Sequence, residues 1–272
     1  MSERDGYQPG VPCWIDTWQP DADAAVAFYT QLFGWEAEDT MPPGTPGKHF
    51  VCRLRDRDVA AIASRPEAAP PVTAWTTYIW VESAEGTAAK VVDAGGSVVM
   101  DPFESLDGGR IAVVADPAGA VFGVWQPGTH RGAGLVNESG AWAMSLLSTS
   151  DSETAKAFYG TVFGWETETF GAGESAVTLW RLPGYVGGEP EQPVPRDVVG
   201  VMSSTDAPPS WSVDFWVDDV DATADKAAEL GGRVMEPPFD TPVGRTAVLA
   251  DPQGAVFSVS KVTGGGHDAL VS

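Results

Sequence analysis

At 272 residues the chain accommodates one large domain or two ordinary ones, either with a substantial core. It carries 16 Lys and Arg against 38 Asp and Glu, a formal charge of −22, with no basic stretch to follow a phosphate backbone or an anionic bilayer, so neither nucleic acid nor a membrane is an expected partner. The opening MSERDGYQPG lacks the basic and apolar regions of a secretory signal and nowhere do 18 apolar residues run together, so a cytoplasmic protein is expected.

The pattern predicts a strand over 13–18, then a helix over 21–33 with Asp21 or Asp23 as N-cap and Gly34 as its stop. Strand-like runs follow at 49–54 and 59–63, another strand at 76–81, and a helix over 84–94 closed by Gly95 and Gly96. A strand around Val98 and strands at 111–115 and 121–125 complete the set, the last two joined by the β-turn Asp116-Pro-Ala-Gly119. Cys13 and Cys52 form neither a disulfide framework nor a CxxC motif, and in strands they read as small buried hydrophobes. Residues 126–134 have the Gly-rich, aperiodic composition of a linker, which places a domain boundary at 135 and predicts domains 1–134 and 135–272.

The halves are copies. FYTQLFGWE from Phe28 is echoed by FYGTVFGWE from Phe158, with six of nine positions identical. GRIAVVADPAGAVF from Gly109 is echoed by GRTAVLADPQGAVF from Gly244, with eleven of fourteen identical. Within each half the order β-α-β-β-β occurs twice, giving four modules in an α+β chain.

Paired modules of this order, a Phe-Tyr closing the first helix, and an Asp-Pro-x-Gly hairpin resemble the vicinal-oxygen-chelate superfamily of glyoxalases, bleomycin-resistance proteins and extradiol dioxygenases. The strand Pro12-Cys-Trp-Ile-Asp16 followed by Phe-Tyr-x-x-x-Phe-Gly-Trp is similar to its tandem-domain actinobacterial members, and the Ala, Gly and Asp bias of the composition resembles that of high-GC actinobacterial proteins generally. The resemblance implies two cupped sheets, each lined for a small molecule. It also implies metal-ligand positions seven residues before the helix-opening Asp, on the middle strand, and four after the hairpin Gly. Trp14, Thr76 and Gly123 stand there in the first half, and Met144, Ser212 and Ser258 in the second, so neither a metal nor another cofactor is expected.

Strand alternation turns Trp14, Asp16, Trp18, Tyr78, Trp80 and Trp125 toward the first cup, and Met144, Asp214 and Trp216 toward the second. Flat aromatic walls suit a planar or apolar ligand, although the same indoles would serve as core in a small sheet. A carboxylate at Asp16 in an apolar strand needs a partner, for which Arg110, repeated as Arg245, is the candidate. His130 and His267 fall in linker and tail, which leaves His49 in a strand.

The leading expectation is a metal-free binding protein that sequesters or carries an aromatic, natural-product-like ligand, acting as a monomer of two repeats or a homodimer. The alternative is a lyase, dioxygenase or hydroxylase that works through an atypical metal site or through acid-base chemistry by Asp16, His49 and Asp214.

Overall fold

The computed structural model describes residues 3–67, 69, 71–106, 108–170, 177–187 and 195–262; His267 and the Gly-rich stretches at 171–174 and 264–266 lie outside them. The first strand, β1 (Pro12–Gln19), leads into helix α1 (Ala22–Phe33). The Asp21 carboxylate accepts from the Ala24 N–H at the start of α1, and Gly34 ends it at φ 75°, a left-handed turn that glycine adopts without strain. The first half continues with β2 (Glu36–Asp39), β3 (His49–Leu54), β4 (Arg57–Ser64), β5 (Trp75–Trp80), α2 (Ala84–Asp93), β6 (Ser97–Glu104), β7 (Arg110–Ala115) and β8 (Val121–Gln126). Only β2 has no counterpart in the sequence pattern: it is a short, charged edge strand without apolar alternation.

These strands make one mixed sheet, β2-β3-β4-β1-β5-β8-β7-β6. The two modules of a half join through antiparallel β1 and β5, where Trp14 faces Tyr78 and Asp16 faces Thr76, while β1–β4 and β5–β8 pair in parallel. Each cup is therefore built within one half. The second half repeats the order with β9 (Trp142–Thr149), α3 (Ser152–Phe163), β10 (Glu166–Phe170), β11 (Val177–Arg181), β12 (Val198–Ser204), β13 (Ser210–Trp216), α4 (Val220–Glu229), β14 (Arg233–Thr241), β15 (Gly244–Ala250) and β16 (Val256–Val262).

The repeated motifs hold the halves together. The Phe33 ring of α1 packs tilted 4.7 Å from Phe215, and Tyr29 lies 5.6 Å from Phe257. The Tyr29 hydroxyl donates to Asp251 in the far hairpin at 3.1 Å, and Tyr159 donates to Asp116 at the same distance. Each Asp also accepts two backbone N–H groups of its own turn through its other oxygen, so one side chain shapes the hairpin and anchors the opposite helix. Burial and the neighbouring Asp charge push both phenols well above their ordinary pKa, which keeps them neutral donors. Trp75 and Trp211 donate to the same two hydroxyls, while Trp35 and Trp165 donate to the backbone oxygens of Gly140 and Gly10 across the seam. Four of the 11 Trp are thus committed to joining the halves.

Candidate functional site

The cup face of the first sheet divides into a filled end and an open end. At the filled end Trp14, Tyr78 and Trp125 are fully buried, with Tyr78 and Trp125 edge to face at 6.0 Å. His130, which composition assigns to a linker, inserts here instead. Its ring lies edge-on 4.4 Å from Trp14 and 5.5 Å from Trp125. Its Nδ1 accepts from the Gly132 N–H, leaving Nε2 to face Asp58 Oδ2 at 3.4 Å, and this imidazole holds the Asp58 carboxyl below the usual carboxylate range. Residues after it are strapped to the sheet by Ala133 N–H to Cys13 O and Gly134 N–H to Asp58 O. Trp80 is covered by Tyr7 at 6.2 Å and by the Arg131 guanidinium at 5.1 Å.

The open end is a cavity of about 440 Å³, within the range of small-molecule sites. Trp18, Met41, Phe103 and Ile111 supply apolar wall, and Asp16 and His49 line it as buried polar groups. The β3–β4–β1 register brings the last two together: His49 pairs with Ala63 and Asp16 with Ala61, two residues apart on one strand. The Tyr78 hydroxyl donates to Asp16 Oδ2 at 2.9 Å, and His49 Nδ1 shares a hydrogen bond with Thr40 Oγ1 at 2.8 Å.

Arg110 does not reach Asp16. It is held outside the cup by Glu85 at the start of α2 and by Glu104 on β6, because strand alternation sends it to the opposite face from Ile111. Arg245 is likewise held by Asp221 and Asp240. In the second half Asp214 is buried and accepts from Ser258 Oγ at 2.8 Å and Ser260 Oγ at 2.5 Å. Burial raises its pKa to about 6 against the lowering effect of those two donors. Met144 and Trp216 line a separate cavity of about 80 Å³.

The positions that hold a metal in catalytic members of the resembled superfamily do not fit one here. Trp14, Thr76, Met144 and Ser212 offer neither imidazole nor carboxylate, and a Cβ added at Gly123 would stand 2.1 Å from the Tyr78 ring. Among the described residues no three His, Cys, Asp or Glu gather as a ligand set. Residues 14–124 match the family model of the Glyoxalase/Bleomycin resistance protein/Dioxygenase superfamily, and residues 144–260 match a glyoxalase-like domain. The chain belongs to this superfamily. CFP32 of Mycobacterium tuberculosis (strain CDC 1551 / Oshkosh), whose name ranks it provisionally with the glyoxylases, is 43% identical over 96% of this chain and 98% of its own. The anthracycline biosynthesis protein DauV of Streptomyces sp. (strain C5) is 36% identical over 93% and 94%.

Two solved superfamily structures share the fold at low identity. The Mn(II)-bound glyoxalase of Novosphingobium aromaticivorans is 15% identical with a TM-score of 0.61, over 93% of this chain and 82% of that one. The 2,3-dioxygenase LapB of Pseudomonas sp. KL28 has the same identity and TM-score over 93% of each chain. Among the described residues no helix is long and apolar enough to cross a membrane.

Proposed function

We propose that the first half is a receptor for a planar, aromatic natural-product-like molecule, which it holds for sequestration or carriage. The observation that carries this reading is the cavity of about 440 Å³ with an indole and apolar side chains for walls and two buried polar groups, Asp16 and His49, to orient a ligand hydroxyl or amine. The likeness to an anthracycline biosynthesis protein supports it, since an anthracycline presents a flat fused-ring system edged with hydroxyls. In this reading Trp18 stacks on the ligand, Asp16 accepts from it, and Tyr78 orients Asp16. Trp14, Tyr78 and Trp125 form the rigid wall behind the site rather than its lining.

Titration with the tetracyclic anthraquinone daunorubicin, followed by intrinsic Trp fluorescence, tests the reading. Quenching that saturates at micromolar ligand is expected, weakened about tenfold in W18A, in line with a stack worth about 1 kcal/mol plus lost area. No quenching up to the solubility limit would sink it.

A catalytic reading rests on Asp16 and His49 lining the same cavity, an arrangement able to take a proton from a bound hydroxyl and return it elsewhere. Mass analysis of the anthraquinone after incubation, compared with D16N, separates the two: an altered product that D16N fails to make establishes catalysis. A stoichiometric divalent ion in the purified protein would move the site onto a metal.

A further inference from the structure

The wall of the larger cavity carries charge of both signs, and its cations are not equally occupied. Lys48 is held 2.8 Å from Asp39 on β2, and the acid Glu104 is held by Arg110. Arg65, one residue past the end of β4, lines the same cavity and forms no ion pair among the described residues. In a chain with 38 acidic residues against 16 basic ones, most arginines are claimed: Arg53, Arg181 and Arg245, like Arg110, each hold two carboxylates.

The backbone fixes where Arg65 stands. In the parallel pairing of β1 with β4, Asp16 lies beside Ala61 and Trp18 beside Ala63. The ladder continues one step beyond β4, where the Arg65 N–H donates to Gln19 O at 3.0 Å. Alternation then puts Arg65 on the cup face with Ala61 and Ala63, so that Asp16, Trp18 and Arg65 come in that order leading away from the filled end. Each two-residue step advances about 6.6 Å, which sets Arg65 about 13 Å along the sheet from the level of Asp16. The side chain is half-buried, beside a wall to which Trp18, Met41 and Leu106 also belong.

We propose that Arg65 is the anion subsite of this cavity, so that the ligand is an aromatic acid with its ring on Trp18 and its carboxylate on Arg65. The inference rests on the cavity being the site of a planar aromatic molecule. A guanidinium fork matches the two oxygens of a carboxylate, and the span from Asp16 to Arg65 suits a fused-ring system whose hydroxyl edge and acid lie at opposite ends. The acids of the wall make the orientation single: a carboxylate turned the other way would meet Asp16. Glu67 lies two residues beyond Arg65 but is exposed, where solvent and salt screen its repulsion.

Calorimetric titrations of the full chain with two probes, at neutral pH and fixed ionic strength, test the subsite. The probes are the dihydroxyanthraquinone acid rhein and aloe-emodin, the same ring system with a hydroxymethyl group in place of the carboxylate. Rhein is expected to bind about tenfold more tightly, the size of one charge-assisted contact. That preference should vanish in R65Q, survive in part in R65K, which keeps the charge without the fork, and shrink as sodium chloride is raised. Aloe-emodin should bind R65Q as it binds the parent, and melting of each variant without ligand shows that it is folded. The proposal is overturned if rhein binds the parent no more tightly than aloe-emodin, or if R65Q keeps the preference; binding of aloe-emodin or daunorubicin, weakened in W18A, would then leave the aromatic site standing. Absence of binding by rhein, aloe-emodin and daunorubicin alike overturns both.

Discussion

The two cups carry equivalent cross-strand pairs of opposite chemistry. In the first, Tyr78 on β5 neighbours Gly123 on β8; in the second, Asp214 on β13 neighbours Ser258 on β16. The Tyr78 ring occupies the space into which a Cβ at position 123 would project, so tyrosine on one strand demands glycine on the other. Asp214 instead needs donors, and Ser258 and Ser260 supply them. The linings diverged in coupled pairs, because a change on one strand without its partner leaves a clash or an unsatisfied carboxylate.

The largest expected effect lies in the joint that both halves share. Asp251 accepts from Tyr29 and also from Gln19, whose place in the other half is taken by Thr149, so among the described residues Asp116 accepts across the seam from the Tyr159 side chain alone. D251A should cost about 4 kcal/mol and D116A about 3 kcal/mol in urea unfolding, the difference being one charge-assisted hydrogen bond. Equal losses would show that Gln19 adds nothing. A smaller effect tests the pairing rule: G123A should cost about 2 kcal/mol by overpacking against Tyr78, and the penalty should largely vanish when Y78A is already present. An additive double mutant would break the argument that these two positions are linked.

The third test concerns pH. The pKa of Asp214 is raised in the folded state, from 3.8 to about 6, so the fold binds this proton more tightly than the unfolded chain does. Its contribution is therefore fully present below pH 3.8 and is lost as pH rises through 6. D214N should be more stable than the parent by about 1 kcal/mol at pH 7.5, what is left of the roughly 3 kcal/mol in raising the pKa from 3.8 to about 6 once the amide replaces one of the two oxygens that accept from Ser258 and Ser260, with the advantage disappearing near pH 4, as measured by melting across the range. A gain independent of pH would mean that the carboxylate is ionised throughout.

Much of this architecture is legible in the sequence because it is local. The Asp21 cap, the Gly34 stop, the Asp116 hairpin and the face alternation of β5 each depend on residues within a few positions of one another. The cup-ward direction of Trp14, Tyr78 and Trp125 follows from alternation, but alternation cannot say that His130 returns to fill the space beside Trp14 and Trp125. A Gly-rich stretch has no period to reveal where it packs. The place of Arg110 is hidden for a related reason: repetition marks it as important, while its partners Glu85 and Glu104 come from a helix start and an edge strand that only tertiary packing brings near. The duplicated Phe-Tyr and Asp-Pro motifs were visible, yet their pairing across more than 200 residues in one case was not.

That pairing has a consequence for how the cups could change. Each half contributes the same two parts of the joint, a helix-end tyrosine and a hairpin aspartate, each received by the other half, so the contact has the self-complementary form of a two-fold dimer. In a symmetric dimer every substitution is made twice, and a lining suited to one ligand is imposed on both sites. With both subunits written into one chain, the joint can stay symmetric while each lining is free to change alone.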